Sequence, residues 1–554
     1  MSLSSIPSEL ILEIVGYLDV QSVICLCQTS TTFRMLSKTS RMFWIPSIIR
    51  SELILPFANH QSLSSCDPLK LHFATHQAAL RERNILSLKP RILSYKRITW
   101  PFPVTKPDSV DQDAGEYILR SGSPLDEINS YYVHPSGTWM FLLSTENIFR
   151  VLHLETGHIV WANAQYRHPP GFSLVTERSV EVFAMDFITD SRVILALVFV
   201  VQAAATPNGE ITWHRKYKIM QLDLAPLSIS VESTDITQDF LPFEVETVEL
   251  CGPYIFFLER NKTWDSNGPI MSHKLHMIDW RDGRKLDLPS SLLPARKIGA
   301  YPTYLISIGI TPENTKKLQV LQYAAKADDF HDARDLFHHS DDKSDWTPCL
   351  VANVDFPPSP MRDSSSEIKL CHQYTGNPKG TVRICIRNRG LAVDSGWSSS
   401  NFTFTVDLFR SSSEEYSLAT SCEIAHRLVW EHEGLSHFYE VFGAGKYFVW
   451  WRFDHDSKDE EDQHPIRLFT TTIDDIEPII YPDSSIDLNP ETVGVNYPSR
   501  ELESPIKSKG AQDPHVPNGH VVASGDVQST SAVAIVTMTY GDIWVLRYGH
   551  TGVF

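Results

Sequence analysis

The spacing of hydrophobic residues along the 554-residue chain changes at about residue 100. Before that point, apolar side chains recur every three or four residues, which is the period of an amphipathic helix. Beyond it, short runs alternate apolar and polar residues, which is the period of a strand with one buried face. The pattern predicts an α+β multidomain protein, in which a small all-α part is followed by a large all-β part.

The first helical stretch, residues 6–44, contains more apolar side chains than three short helices can bury. Pro7 suits the first turn of one helix, Asp19 can cap a second, and Thr29 or Ser30 can cap a third. A unit of this size hides only part of its surface. The uncovered face therefore requires a second surface, either from the rest of this chain or from another protein.

Eight residues of this stretch form an ordered set across the three predicted helices. They are Pro7, Glu9, Leu10, Ile14, Leu18, Asp19, Leu26 and Trp44. Their types and spacing resemble the F-box, a small helical unit that docks on the Skp adaptor of SCF-type ubiquitin ligases. Mostly conservative departures from the usual pattern occur at Ile6, Val20, Thr29–Ser30 and Phe33.

The resemblance implies that apolar side chains bind the Skp adaptor and, through it, a cullin. The side chains expected to make this contact are Pro7, Leu10, Ile11, Ile14, Leu18, Val23, Leu26 and Trp44. The alternative is that these helices only cap the domain that follows.

Helical spacing continues beyond the F-box-like stretch, through "LKLHFATHQAALRERN" at 69–84. In F-box proteins that carry a propeller, a helical linker ending in a similar Arg- and Asn-containing stretch leads into the first blade, and this segment resembles it. The predicted domains are an F-box at 1–46, a helical linker at 47–97 and an all-β domain at 98–554.

One short alternating pattern recurs seven times in the all-β part, roughly 43 to 85 residues apart. Its copies are "IFRVLHL" (148–154), "KIMQLDL" (218–224), "KLHMIDW" (274–280), "KLQVLQY" (317–323), "FTFTVDL" (402–408), "IRLFTTT" (466–472) and "DIWVLRY" (542–548). Repeats of this length with strand-turn-strand content are typical of a β-propeller, and closure into a ring protects the strand edges. The copies resemble WD-type repeats loosely, and seven blades are expected.

Three polar stretches of the all-β part are predicted to be loop insertions rather than further domains. They are residues 325–345, the acidic tip at 455–464 and the segment at 478–520, which is rich in Pro, Ser and Asp.

Charge is distributed unevenly along the chain. Residues 1–100 carry 11 Lys and Arg against 6 Asp and Glu, whereas the remainder carries 38 against 61. With a net charge of −18, the chain is not expected to bind nucleic acid, which requires clustered Lys and Arg. The longest apolar run, at 193–201, is about half of the roughly 20 residues of a spanning helix, so no membrane partner is expected.

The cysteines and the start of the sequence bear on where the protein works. The eight cysteines are scattered without a CxxC pair, which favours reduced thiols. The first residues lack the basic region of a secretory signal. The expected location is the cytoplasm, the nucleus or both.

Three patterns could suggest chemistry, and each has a plainer interpretation. "FGAGKY" (442–447) lacks the first glycine and the Ser or Thr of a phosphate-binding loop, so a hairpin turn is predicted. His331, Asp335 and His339 would share a helical face, but they lie in a polar insertion and no metal is expected. The arginines of "RICIRNRG" (383–390) are expected to decorate a strand rather than to bind phosphate. Neither a cofactor nor enzymatic activity is expected.

These features together favour the substrate-recognition subunit of an SCF-type ubiquitin ligase, whose propeller binds an unknown protein substrate. One alternative is a Skp-binding scaffold or interaction protein without a role in ubiquitination. A less favoured alternative is a propeller enzyme capped by the N-terminal helices.

Overall fold

The computed structural model describes the chain in three parts. The first is residues 6–98 without 52, 54, 58–62, 64–65, 86 and 88–90. The second is residues 128–323 without 145–146, 163–178, 190, 203–212, 226–227, 233–236, 242, 266–267, 282, 302–303 and 312–314. The third is residue 348 and the thirteen strands between Cys349 and Arg547.

The described N-terminal residues form five helices and a 3-10 turn. They are α1 (Ser8–Val15), α2 (Val20–Thr29), α3 (Thr31–Thr39), the turn Arg41–Phe43, α4 (Ile45–Arg50) and α5 (Pro68–Ile85). Asp19 caps α2, because its Oδ1 accepts a hydrogen bond from Ser22 N at 2.7 Å. Ser30 caps α3 by accepting one from Thr32 N at 3.2 Å. Both predicted caps are confirmed, with Ser30 rather than Thr29 in the second position.

Helix α5 shares one hydrophobic core with the helices that precede it. It packs on α2 and α3, and its fully buried Leu71, Ala74 and Ala78 lie in one cluster with Val23 and Phe33. Much of the apolar surface that residues 6–44 cannot bury among themselves is therefore covered by this chain. The predicted boundary between 46 and 47 runs through that core.

The described strands form seven antiparallel sheets, and the first strand in the chain, β1 (Ser94–Ile98), belongs to the last of them. The first is β2 (Ile128–Val133), β3 (Trp139–Ser144), β4 (Phe149–His153) and β5 (His158–Ala162). The second is β6 (Ser179–Thr189), β7 (Arg192–Gln202) and β8 (Trp213–Ala225), with β9 (Ser228–Glu232) and β10 (Thr237–Leu241) both paired to β8. The third is β11 (Glu244–Cys251), β12 (Tyr254–Asp265), β13 (Gly268–Asp279) and β14 (Arg284–Leu286).

The remaining four sheets repeat this order. The fourth is β15 (Ala295–Tyr301), β16 (Tyr304–Ile310), β17 (Lys316–Gln322) and β18 (Cys349–Asp355). The fifth is β19 (Ser365–Leu370), β20 (Thr381–Ala392), β21 (Gly396–Asp407) and β22 (Ile424–Trp430). The sixth is β23 (Glu440–Ala444), β24 (Tyr447–Phe453) and β25 (Gln463–Thr472), with β26 (Arg500–Leu502) and β27 (Lys507–Lys509) both on β25. The seventh is β28 (Gly525–Ser529), β29 (Val533–Met538), β30 (Ile543–Arg547) and β1.

Every copy of the recurring sequence pattern occupies the same place in its sheet. The seven copies coincide with β4, β8, β13, β17, β21, β25 and β30, each of which is the third strand of its sheet. A third strand has a partner on both edges, which explains why its apolar alternation is strong enough to recognise. The repeat prediction is confirmed for the described strands.

The sheets form a closed ring. The inner strands of successive sheets contact each other, as β6 does with β11 and β11 with β15. The seventh sheet takes its outer strand from before the ring, with Ser94 opposite Arg547 and Ile98 opposite Ile543. Ile98 and Ile543 then share a core with Leu142 of the first sheet. This arrangement is a β-propeller whose two chain ends are joined within one sheet.

The predicted insertions have different outcomes. The segment 478–520 contains the short strands β26 and β27, which cover the edge of β25, so it is not a loop throughout. The acidic tip joins β24 to β25, whose first residue is Gln463. Residues 325–345, with the candidate metal ligands His331, Asp335 and His339, lie outside the described residues.

Two of the plainer interpretations are confirmed by strand pairing. Ala444 pairs with Tyr447, so "FGAGKY" forms a hairpin rather than a loop before a helix. Residues 383–390 lie within β20, where Arg387 pairs with Asn401 of β21.

Candidate functional site

Helix α1 presents an apolar surface to solvent. Leu10 is 50% exposed, Ile14 is 47% exposed and Tyr17, just after the helix, is 72% exposed. The spacing of four and three residues places them on one side, together with the exposed Pro7. The opposite side carries Ile11 and Val15, which are buried. We call the set Pro7, Leu10, Ile14 and Tyr17 the α1 face.

The surroundings extend the α1 face. The turn Arg41–Phe43 contacts α1 and carries Met42, which is 56% exposed. The Cζ atom of Arg50 lies 5.6 Å from the centroid of the Tyr17 ring, within the range of a cation–π contact. Large aromatic and Met side chains are typical of the anchors in protein interfaces.

The eight side chains predicted to bind the adaptor divide by burial. Pro7, Leu10 and Ile14 are exposed and lie on the α1 face. Leu18 and Leu26 are half-buried and pack against the helical core. Ile11, Val23 and Trp44 are fully enclosed in that core, so in this structure they support the outer surface rather than form it. Adaptor contact by the eight residues stays a prediction.

Two residues of this surface were not expected from the sequence. Tyr17 follows Leu10 by seven residues, so helical spacing could have identified it. Met42 had no comparable signal, because its position depends on how the turn Arg41–Phe43 packs on α1.

Two half-buried titratable side chains of the inner propeller strands influence each other. Burial raises the pKa of Glu249 on β11 to about 8. The charge of Glu249 and then burial raise the pKa of Tyr132 on β2. Because β2 and β11 belong to sheets that are not neighbours, these side chains approach each other across the middle of the ring.

Two further groups of this region are Asp186, which makes a structural hydrogen bond, and Cys251, whose thiol has low reactivity. Asp186 Oδ2 accepts a hydrogen bond from Gly252 N at 2.6 Å, which ties β6 to the turn after β11. Burial raises the pKa of the Cys251 thiol well above its usual value, with the charge of Asp186 adding to the effect. A thiol of this kind stays protonated and is a poor nucleophile.

Ion pairs link three successive sheets near the beginnings of their inner strands. Arg215 bonds Glu181 at 2.6 Å within the second sheet and lies 3.9 Å from Glu244 of the third. Glu246 of the third sheet bonds His273 at 2.6 Å and lies 3.8 Å from Lys297 of the fourth. The hydrogen bond from His273, with nearby cations, lowers the pKa of Glu246. The partly buried network favours one fixed arrangement of these sheets.

Comparison with known proteins identifies the helical unit. Residues 3–44 match the F-box domain family. F-box domains generally bind the Skp adaptor within SCF complexes. No curated protein sequence matches the chain. The chain thus joins an F-box domain to a β-propeller.

Similar solved structures are also propellers, although the likeness is weak. The WD40 domain of SCAP from fission yeast has a TM-score of 0.36 and 10% identity, covering 77% of this chain and 85% of its own. The β-propeller domain of Myceliophteria thermophila Cps50 (Swd1) has a TM-score of 0.33 and 8% identity, covering 76% and 96%. The propeller assignment rests on the order and closure of the sheets.

Two further features are absent from the described residues. None of their helices is both long enough and apolar enough to cross a membrane. No three His, Cys, Asp or Glu side chains among them are grouped to hold a metal ion.

Proposed function

We propose that this protein is the substrate-recognition subunit of an SCF-type ubiquitin ligase. The F-box helices dock on the Skp adaptor through the α1 face, and the propeller holds a protein substrate. The observation that carries the proposal is an exposed apolar row, Leu10, Ile14 and Tyr17, on a domain that matches the F-box family.

The α1 face has the features of a docking surface. Its apolar side chains are held by a helix whose other side is anchored in the core through Ile11 and Val15. A rigid helix that offers anchors at helical spacing suits a groove on a partner, because little conformational freedom is lost on binding. Leu18 and Leu26 lie at the margin of the same core and would contribute where the groove extends.

Such a receptor accelerates ubiquitin transfer without chemistry of its own. By holding the substrate and the adaptor on one chain, it raises the effective concentration of a substrate lysine near the ubiquitin-loaded enzyme. The described groups at the propeller centre suit this role, since the Cys251 thiol is protonated and Asp186 is engaged by backbone. We place the protein in the cytoplasm or the nucleus, and the described cysteines, which are all free thiols, support this location.

A binding experiment tests the adaptor half of the proposal. The full chain is incubated with purified Skp adaptor and compared with the double variant Leu10→Asp, Ile14→Asp. The matched control is Leu80→Asp, Leu93→Asp, whose leucines are 53% and 47% exposed but lie outside residues 3–44. We expect binding by the wild type and the control, and loss in the α1-face variant while its circular dichroism spectrum is unchanged. If the wild type is well folded but does not bind the adaptor, the proposal is contradicted.

A second experiment separates a receptor from a scaffold. Complexes of the chain with adaptor and cullin are isolated, and proteins held by the propeller are followed for ligase-dependent turnover. We expect their turnover to slow with the Leu10→Asp, Ile14→Asp variant. Unchanged turnover alongside intact cullin association of the wild type would indicate a scaffold.

A further inference from the structure

The contact between α5 and the F-box helices contains two neighbouring histidines, of which His72 is buried and His76 is half-buried. His72 and His76 are one turn apart on α5, and their ring centroids are 4.6 Å apart. Both rings lie against the fully buried Trp44, at centroid distances of 5.6 and 5.4 Å. His72 is only 7% exposed. The first strand of the propeller, β1, begins nine residues after α5 ends.

Hydrogen bonds around Ser37 indicate which ring nitrogen of His72 carries a hydrogen. The hydroxyl of Ser37 donates to Arg34 O at 2.8 Å, so its oxygen can only accept from the ring. His72 Nδ1 lies 3.1 Å from that oxygen and would therefore carry a hydrogen, which in the neutral ring is the Nδ1-protonated tautomer. Trp44 Nε1 donates to Ser37 O at 2.7 Å, which joins the indole to the same residue.

Burial, together with charged neighbours in the case of His72, disfavours a second proton on either ring. Burial, then His76 and then Lys38 of α3 lower the pKa of His72 to about 4. Burial lowers the pKa of His76 as well, and its buried Nε2 has no hydrogen-bond partner among the described residues. From α2 and α3, the Cys27 thiol and the backbone carbonyl of Arg34 both bond the Ser37 side chain, so the groups that face His72 include a thiol and the ammonium of Lys38.

We propose that His72 and His76, packed on Trp44 and Ser37, form an acid-sensitive lock that holds α5 against the F-box helices while both rings are neutral. A proton on either ring would place a positive charge beside the other ring, and His72 is in addition close to Lys38 and almost fully buried. Opening of α5 relieves that cost, because it returns the imidazoles to solvent. The proposal does not depend on adaptor binding.

The direction of the pH dependence follows from the lowered pKa of the docked state. A free histidine takes up its proton near pH 6.5, whereas docked His72 does so only near pH 4. The lock is therefore fully closed above pH 6.5, weakens as the pH falls from 6.5 to 4, and weakens no further below 4. Between pH 7.5 and 5.5, His72 alone should raise the opening equilibrium about tenfold.

Hydrogen exchange measured by mass spectrometry on the full chain tests the lock. Exchange of peptides from residues 68–85 is compared at pH 7.5 and 5.5, after correction for intrinsic rates, with the propeller strand Trp139–Ser144 as internal reference. We expect about tenfold faster exchange in α5 at the lower pH and little change in the reference. Equal behaviour of the two segments would overturn the proposal.

Two variants make the test specific. His72→Asn, His76→Phe keeps a donor near Ser37 and a ring beside Trp44, and should abolish the pH effect. Lys38→Glu, at a half-exposed position, should reduce the effect by placing a carboxylate near His72. If both variants retain the tenfold acceleration, the histidines do not hold α5 in a pH-dependent way and the proposal is wrong. If the double variant fails to fold, the Lys38→Glu variant alone tests the proposal.

Discussion

Replacing Leu71 by alanine tests whether α5 completes the core of the F-box unit. Leu71 is completely buried in the cluster that contains Val23, Phe33 and Trp44. Truncation of a buried leucine to alanine costs 2–5 kcal/mol, from lost burial and from the cavity left behind. On the same helix, the side chains of Ala74 and Ala78 are too small to fill the space that Leu71 would leave. We therefore expect the free energy of unfolding of the N-terminal unit to fall by about 3 kcal/mol.

The same helix provides a matched control. Leu69→Ala makes the same chemical change two residues away, but Leu69 is 45% exposed. It leaves no closed cavity and should cost less than about 1 kcal/mol. The two variants therefore differ in burial while sharing helix, residue type and change in helix propensity.

Differential scanning calorimetry of the full chain measures the difference. For a unit of the size of residues 6–85, each kcal/mol lowers the melting temperature by roughly 4–8 °C. We expect the transition of the N-terminal unit to fall by about 10–20 °C in the Leu71 variant, with the propeller transition unchanged. If Leu71→Ala shifts that transition no more than Leu69→Ala does, the F-box helices close without α5 and the shared core is refuted.

Three further predictions concern the α1 face, a helix cap and the propeller. Leu10→Ala with Ile14→Ala should weaken adaptor binding roughly 30-fold, measured by calorimetric titration. Burying the exposed half of each side chain in the complex contributes about 1 kcal/mol to binding, and a loss below about threefold would contradict this. Asp19→Ala should lower the free energy of unfolding of the F-box unit by about 1 kcal/mol in urea, and an unchanged value would mean that the cap is not stabilising. Gly309→Ala should lower the melting temperature of the propeller, because a Cβ would lie 2.7 Å from both Gln319 Oε1 and Leu293 Cβ; an unchanged temperature would show that both residues can move.

The strand pattern of the propeller was accessible from the sequence because it is local. Alternation over seven residues such as "IFRVLHL" identifies a strand without knowledge of its partners. The alternation does not reveal the pairing of Ser94–Ile98 with Ile543–Arg547, because the register between segments so far apart cannot be read from either segment alone. The sequence therefore predicted the propeller but placed its first strand in the linker.

The candidate site likewise combines residues that the sequence identified with residues whose exposure only the structure shows. Helical spacing identified Leu10 and Ile14, which are exposed, but it grouped them with Val23 and Trp44, which are buried. Apolar residues surround more than one face of each short helix, so composition alone does not say which face meets the partner. That choice is made by the neighbours of each helix, since the turn Arg41–Phe43 packs on α1 whereas α5 packs on α2 and α3.

The sequence by itself determined the change from helices to strands, the cap at Asp19, the choice of Thr29 or Ser30 for the next cap, and the F-box resemblance, because these depend on residues within a few positions of one another. Only the tertiary structure decided which apolar residues stay exposed, that α5 shares the F-box core, and that two histidines meet Trp44. Each of these depends on contacts between distant segments, and burial, which fixes both packing energy and pKa, arises from all of those contacts together.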